Sequence, residues 1–213
     1  MKVLLILIIA IAQLSAFSQA DSNKLFFNEL LVSANRTNVN DDNTADRNGF
    51  GIGIYRVGKK SKVFNLLFGF EYNKTSQFKK NVFIGHFANM TDVIYNLNCL
   101  SIPTGYRINM GKKVKFFIEQ DFYVDLGLSS KIKGDYHSYS PTQGTEITSH
   151  EKLNADLNSF NFGVSLGLGL RIPIKKHELI LKPDYKLGIR NLSPTQSVFD
   201  NSYFRFSAGI SHQ

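Results

Sequence analysis

The sequence predicts an all-β protein, an eight-stranded antiparallel up-and-down barrel. Apolar residues recur at every second position in eight separate segments, which is the spacing of a strand with one apolar face. The connections between these segments are alternately short and long, and no long helical pattern interrupts them. Beyond the N-terminus, no apolar run reaches the roughly 18 residues of a membrane-spanning helix. These patterns therefore predict a single barrel domain and exclude a helical membrane protein.

The N-terminus has the three regions of a secretory signal peptide. A basic residue precedes the unbroken apolar run Val3–Ala12, and the small residues Ser18 and Ala20 stand before the predicted cleavage point. The run is too short to span a bilayer, although an uncleaved anchor is the alternative. We therefore predict a signal peptide over residues 1–20 and a barrel domain over residues 21–213.

The first three strands differ in how clearly they alternate. Lys24–Ala34 is the weakest prediction, because it is apolar on both faces. In Gly49–Val57 the apolar residues alternate with glycine, and in Val63–Lys74 they alternate mainly with small or polar residues. The last two segments are therefore predicted as strands with one apolar face.

The fourth strand, Val93–Ile108, changes phase along its length. Tyr95 and Leu97 do not share the phase of the later apolar residues, so we predict a β-bulge there. The remaining strands alternate throughout. They cover Lys115–Leu128, Asn158–Ile172, Glu178–Asn191 and Asn201–Ser211.

Connection lengths predict which strand ends lie together. The short turns are Gly58–Lys62, Asn109–Lys113 and Pro173–His177. The long polar loops are Asn35–Asn48, Thr75–Asp92, Ser129–Leu157 and Leu192–Asp200. Strict alternation places all long loops at one end of the barrel and all short turns at the other.

Small and charged residues indicate that the polar face points inward. Glycine is useful in the narrow interior of an eight-stranded barrel and weakens a strand that faces water. The polar-face glycines are Gly51, Gly53, Gly69, Gly127, Gly163, Gly167, Gly169, Gly188 and Gly209. The predicted interior charge network is Glu71, Arg107, Glu119, Asp121, Asp125, Arg171, Lys182, Asp184, Lys186, Arg190 and Arg205.

The opposite face is rich in Phe, Leu, Ile and Val. We therefore predict that it points outward and contacts membrane lipid. A soluble lipocalin-like barrel is the alternative, but it would expose a very large apolar patch to water. Aromatic residues near the strand ends suggest two girdles at the membrane surfaces. They are Phe50, Tyr72, Phe160, Phe162 and Phe204 near the long loops, and Phe64, Tyr106 and Phe116 near the short turns.

Several segments resemble the PorT-like group of small outer-membrane β-barrel proteins. They are Leu100–Pro103 with Tyr106, Phe117–Asp121, Asp125–Leu128, Phe162–Gly169 and Phe204–Ile210. The resemblance implies export and insertion in the bacterial outer membrane, and it implies no particular activity. For the up-and-down barrel itself we expect both termini in the periplasm. The chain departs from the usual pattern by ending in Ser211–Gln213 instead of an aromatic residue, and by having no Trp.

Residues capable of chemistry are present, but their arrangement favours structural roles. Glu119 and Asp121 are adjacent inward positions that could serve as acid and base, yet inward arginines on flanking strands favour a charge-balanced plug. His137 and His150 share the longest loop with acidic residues, without the fixed spacing of a metal site. Cys99 is the only cysteine, which excludes a disulfide framework, and it has no basic neighbour to activate it. We therefore predict no catalytic residues, no metal and no cofactor.

Charge is unevenly distributed on the predicted barrel, whose chain carries a formal net charge of +8. Lysines concentrate at the short turns, where they keep hairpin tips hydrated or contact anionic headgroups. They are Lys59, Lys60, Lys62, Lys112, Lys113, Lys115, Lys175 and Lys176. Nucleic acid is excluded as a partner, because the chain is exported and its basic residues are not interleaved with aromatic ones.

We expect a structural or interaction protein that acts through its long extracellular loops. Its expected contacts are outer-membrane lipid, the barrel-assembly machinery and an unidentified extracellular or envelope protein. A narrow porin-like channel for ions or small solutes is the main alternative. An outer-leaflet lipid-modifying enzyme is a weaker one, because no outward His, Ser and acidic residues share a strand register.

Overall fold

The computed structural model describes residues 26–37, 44–59, 61, 63–85, 88–140, 145–154, 158, 160–189 and 202–212. The strands in these ranges are β1 (Glu29–Thr37), β2 (Thr44–Ala45), β3 (Asn48–Lys59), β4 (Phe64–Gly85), β5 (Ala88–Met110), β6 (Lys115–Ser140), β7 (Thr145–Asn154), β8 (Phe160–Ile174), β9 (His177–Gly188) and β10 (Tyr203–His212). The predicted signal peptide lies outside the described residues. No helix in the described ranges is long and apolar enough to cross a membrane.

The strands form a closed antiparallel barrel. Eight of them pair around the ring in the order β4-β3-β1-β10-β9-β8-β6-β5, and β5 closes the ring by pairing with β4. The first and last barrel strands are neighbours, with Leu31 opposite Gly209. The two-residue strand β2 adds to β4, and β7 adds to β6. The predicted eight-stranded barrel is confirmed.

Side-chain exposure shows which face is inside. On β8, Leu166 and Leu168 are 60% and 59% exposed, whereas Gly167 between them is buried. On the adjacent β6, Glu119 is 1% exposed although Ile118 is 38% exposed. The apolar stripe therefore surrounds the barrel and the glycine and ion stripe fills it, as lipid surroundings require.

Interior glycines leave room for inward aromatic rings. A Cβ on Gly69 would lie 2.5 Å from the Tyr55 ring, and a Cβ on Gly53 would meet the same ring. A Cβ on Gly169 would lie 2.1 Å from Cζ of Phe117. Among the polar-face glycines, Gly127 differs from the prediction, because it is exposed next to a bulge. At Gly53, Gly69 and Gly169, glycine is required because large rings occupy the narrow lumen.

We expect Gly169→Ala to lower the free energy of unfolding by about 1–3 kcal/mol, the usual cost of overpacking. The added methyl would collide with the Phe117 ring, which is 1% exposed and has no room to move away. Urea titration of the folded band on unboiled gels measures the effect. Gly85→Ala is the matched control, since no atom lies within 4 Å of its added Cβ. Equal midpoints for the two variants would contradict the tight fit.

Two of the predicted long loops are wrong, because they are largely strand. β4 continues to Gly85 and β5 begins at Ala88, and β6 continues to Ser140 to pair with β7. We call these parts the extension: residues 75–85, 88–98, 129–140 and 145–154. The extension lies beyond the apolar band, so its outer face does not contact lipid. Its sequence therefore lacks the alternation of apolar and polar residues that predicts the other strands.

The extension has an apolar interior, which explains why the apolar residues of β5 change phase along the sequence although the strand does not. Tyr95 and Leu97 are 4% exposed and point inward, in the same phase as Ser101. With Met90, Val93 and Cys99 they form a buried cluster. The register shifts lie nearby, between Thr91 and Ile94 and between Asn98 and Cys99. β5 therefore keeps one phase at Tyr95 and Leu97, and its inner face changes from polar to apolar. The β-bulge predicted there does not occur in β5, since the register shift at Asn98 and Cys99 is an extra residue on β6.

Candidate functional site

The lumen is filled by ion pairs, and Arg107 is central to them near the short-turn end. Its guanidinium donates to both carboxylate oxygens of Glu29, at 2.8 and 3.0 Å, and to Glu119 at 2.7 Å. It also lies over the Phe117 ring, 4.3 Å from the centroid. Arg107 and Glu29 are fully buried, so their charges require the ion pairs that they form.

Arg171 extends this group toward the barrel end. It pairs with Glu29 and, at 3.2 Å, with Glu178. Lys115, one-third exposed, donates to the other oxygen of Glu178 at 2.8 Å. Acids and bases therefore alternate from the rim into the interior.

The other half of the lumen centres on Glu71. One of its oxygens accepts from Lys186 and from Arg205, each at 2.7 Å. Arg205 also pairs with Asp184 at 2.9 Å. The Tyr55 hydroxyl, from β3, donates to Glu71 at 2.6 Å. The charged side chains of this group come from three further strands, β4, β9 and β10. The network therefore holds the wall together from the inside.

Two contacts join the halves. Lys182 donates to Glu119 at 2.6 Å, and its ammonium lies 5.5 Å from the centroid of the Tyr55 ring. The other oxygen of Glu119 is taken by Arg107. Both oxygens of this carboxylate are thus engaged by cations, which leaves no oxygen of Glu119 free for acid–base work.

Two inward carboxylates contact neutral groups. Asp121 accepts from the Ser165 hydroxyl at 3.1 Å, and its other oxygen has no partner among the described residues. Asp125 accepts from the hydroxyl of Ser101. Buried polar atoms that the protein leaves unpaired are the usual positions of internal water.

The structure places all but one of the predicted charged residues in the lumen. Arg190 lies outside the described residues. Sequence reasoning missed Glu29, Glu178 and Lys115. Glu178 and Lys115 continue the phase of predicted inward residues on β9 and β6, and that signal could have found them. Glu29 offered none, because its segment is apolar on both faces.

Apolar layers close the lumen around the ions. One cluster, near the short-turn ends of the strands, contains Leu31, Tyr55, Val57, Leu67, Phe117 and Ile180. The other is the cluster of the extension, with Val82, Ile132 and Tyr136 packed against it. Charged, aromatic and aliphatic side chains thus occupy the interior along its described length.

The histidines suggested for a loop metal site lie on the outer face of the extension. His150 Nδ1 is 2.8 Å from Asp135 Oδ1, while His137 contacts the hydroxyls of Thr91 and Thr148 at 3.0 and 3.2 Å. No group of three or more metal-ligating side chains converges in the described part of the chain. Cys99 is buried at the base of the extension, in the apolar cluster with Tyr95 and Leu97.

Aromatic residues lie at the edges of the apolar band. Phe50 and Tyr72 are neighbours on the outside, with ring centroids 6.2 Å apart, near the long-loop end. Phe64 and Tyr106 stack at 5.6 Å near the short-turn end. The tyrosine hydroxyls remain hydrogen-bonded, Tyr72 to Asn98 and Tyr106 to Gln120. This is the arrangement that interfacial aromatic residues adopt.

Several solved structures have folds similar to that of this chain. Similar solved structures include Ail, the attachment invasion locus protein of Yersinia pestis, at 10% identity and a TM-score of 0.41, covering 89% of this chain and 99% of that one. Neisserial surface protein A (NspA) is 10% identical with a TM-score of 0.48, covering 88% and 97%. The N-terminal β-barrel domain of Pseudomonas aeruginosa OprF is 9% identical with a TM-score of 0.33, covering 87% and 96%. No curated protein matches the sequence.

A match to a family model identifies the family of this chain. The model described as the outer membrane protein beta-barrel domain matches residues 26–193, most of the barrel. Together with the closed ring and its apolar exterior, this match assigns the compartment. The chain belongs to the outer membrane protein beta-barrel domain family and is a small β-barrel of the bacterial outer membrane.

Proposed function

We propose that this barrel is a closed, non-enzymatic scaffold that presents the extension outside the cell as a structural or interaction surface. The supporting observation is the division of the interior: ion pairs fill the lumen, and a separate apolar cluster stabilises the extension. In outer-membrane barrels the short turns face the periplasm, so the extension faces outward. Membership of the PorT-like group and export through the signal peptide over residues 1–20 belong to the same proposal. Outer-membrane lipid, the assembly machinery and an extracellular or envelope protein are its proposed contacts.

A narrow channel is the alternative, and the ion network argues against it. An ion crossing the lumen would have to separate pairs such as Lys182 and Glu119, both about 1% exposed. Breaking a buried pair without replacing the partner typically costs 3–5 kcal/mol. Planar-bilayer recording of the purified barrel separates the two functions, and a steady, reproducible conductance would replace the scaffold by the channel.

We expect the extension to contact another protein in living cells. A photoreactive amino acid at His150, an exposed position on β7, should give a discrete crosslinked protein band on irradiation. The same amino acid at Leu168, in the apolar band, should crosslink lipid and give no such band. Bands absent from His150 and from a second site at Thr148 would contradict an interaction role. Folding is checked in every variant by the shift between boiled and unboiled samples.

A further inference from the structure

Three lysines lie on one outer face immediately beyond the apolar band. Lys74 on β4 is opposite Asn98 on β5, which is opposite Ser129 on β6. Lys131 and Lys133 follow on β6, and both are exposed. The sequence placed the two β6 lysines in a polar loop, whereas the strand register puts Ser129 in the row of Lys74 and the two lysines two and four residues farther along β6. We call Lys74, Asn98, Ser129, Lys131 and Lys133 the basic patch.

The direction of these side chains follows from their neighbours. Ile132, between two patch lysines, packs against the apolar cluster inside the extension, so Lys131 and Lys133 point outward. Lys74 lies between buried residues, and its ammonium is 5.8 Å from the centroid of the exposed Phe50 ring. The patch is therefore on the outer wall, on the same side as the lipid-facing residues.

The patch also lies at a defined height. Leu126 and Leu128 on β6 are 38% and 59% exposed and belong to the apolar band. Lys131 follows only three residues later, about 10 Å along the strand. A lipid whose acyl chains cover these leucines would have its headgroup at the lysines.

A short chain of hydrogen bonds fixes the polar groups between the lysines. The Tyr72 hydroxyl donates to the Asn98 carbonyl oxygen at 2.8 Å, and the Asn98 amide donates to the Ser129 hydroxyl oxygen at 2.7 Å. Since the Ser129 oxygen accepts this bond, its own proton is available to an acceptor outside the protein. The patch thus combines three cations with an oriented hydroxyl donor.

Acidic groups do not neutralise the patch. No carboxylate among the described residues pairs with Lys74, Lys131 or Lys133. Farther along the extension, Asp135 is turned toward His150. The described rows from Lys74 to Lys133 on this face therefore carry no acidic side chain, and the exposed Asp92 on β5 lies just beyond the row of Lys133.

We propose that the basic patch binds the phosphate groups of a phosphorylated lipid in the outer leaflet. Lysine ammonium groups and a hydroxyl donor match phosphate oxygens, and the adjoining leucines match acyl chains. A soluble anion would gain nothing from those leucines, so the joined apolar and basic surfaces favour a lipid. The site lies on the wall of the barrel and does not depend on a protein partner for the extension.

The test is lipid binding by the full-length protein in detergent, measured by native mass spectrometry. Diphosphorylated lipid A is the probe, and its dephosphorylated form has the same acyl chains without the phosphates. We expect Lys131→Gln/Lys133→Gln to weaken lipid A binding about 10- to 30-fold and to leave binding of the dephosphorylated form unchanged. The matched control is Lys175→Gln/Lys176→Gln, which removes two exposed lysines from the opposite end and should leave lipid A binding unchanged.

Several results would overturn the site. One is equal lipid A binding by the two double variants, and another is equal binding of both lipids by the unmodified protein. Inorganic pyrophosphate distinguishes a free anion from a headgroup: if it displaces lipid A at equal concentration, the patch is a soluble-anion site and the lipid assignment is wrong. Folding of both variants is verified by heat-modifiable migration, so a loss of binding is not a loss of structure. Crosslinking at His150 reports on the protein partner separately.

Discussion

Replacing Arg107 with methionine should lower the free energy of unfolding by about 3–5 kcal/mol, because it removes a buried cation that pairs with two buried carboxylates. Arg107 is fully buried and donates to Glu29 and Glu119, which are fully buried too. Methionine retains much of the side-chain volume over Phe117, so the loss is mainly electrostatic. Since the chain contains no Trp, the urea midpoint is best followed by gel migration or circular dichroism.

A matched arginine on the surface controls for the substitution itself. Arg36 pairs with Asp46 at 3.0 Å, but its side chain is 65% exposed. Arg36→Met should therefore cost no more than about 1 kcal/mol. Adding Glu29→Gln and Glu119→Gln to Arg107→Met should lower stability further, because these carboxylates also pair with Arg171 and Lys182, which would lose them. Similar losses in the two arginine variants would show that the lumen network does not stabilise the barrel.

Replacing Leu166 with arginine should destabilise the barrel in lipid bilayers by about 2–4 kcal/mol, the cost of a cation near the bilayer midplane. Leu166 is near the middle of β8 and is 60% exposed on the outer wall. In a water-soluble barrel, the same change at so exposed a position would stay within about 0.5 kcal/mol. The substitution therefore measures directly which solvent surrounds the barrel.

The control for this variant is the same substitution at a position nearer the membrane surface. Ile174, at the end of the same strand, is 52% exposed, and arginine there should cost only about 0–1 kcal/mol near the interface. Both variants are refolded into liposomes of one composition and unfolded in urea. Equal losses at the two positions would contradict a hydrocarbon layer centred near Leu166.

Much of the barrel could be predicted because lipid and lumen impose opposite demands on alternate residues. Leu166, Gly167 and Leu168 alternate between an apolar solvent and a crowded interior, so their order specifies both the strand and its inner face. The same reasoning found Glu71, Glu119 and Arg205 as inward residues. It did not find Glu29, whose neighbours in the sequence are apolar on both faces.

Pairing within the lumen could not be predicted in this way. Arg107 and Glu29 are 78 residues apart, and Arg205 and Glu71 are 134 apart. The alternation shows that each is inside, but only closure of the ring sets which strands face each other and at what height. The engaged oxygens of Glu119 likewise depend on cations from two different strands.

The local pattern of residues established the barrel, its strand number around the ring and the lipid-facing side, because each follows from the alternation of neighbours along one strand. The extension and its basic patch emerged only from the assembled sheet. Beyond the bilayer, water replaces hydrocarbon around the strands, so the outer face of the extension carries residues such as Lys131 and Lys133 and loses the apolar stripe. Backbone hydrogen bonds to β5 and β7 maintain the strands there, and those bonds depend on partners that are distant in the chain.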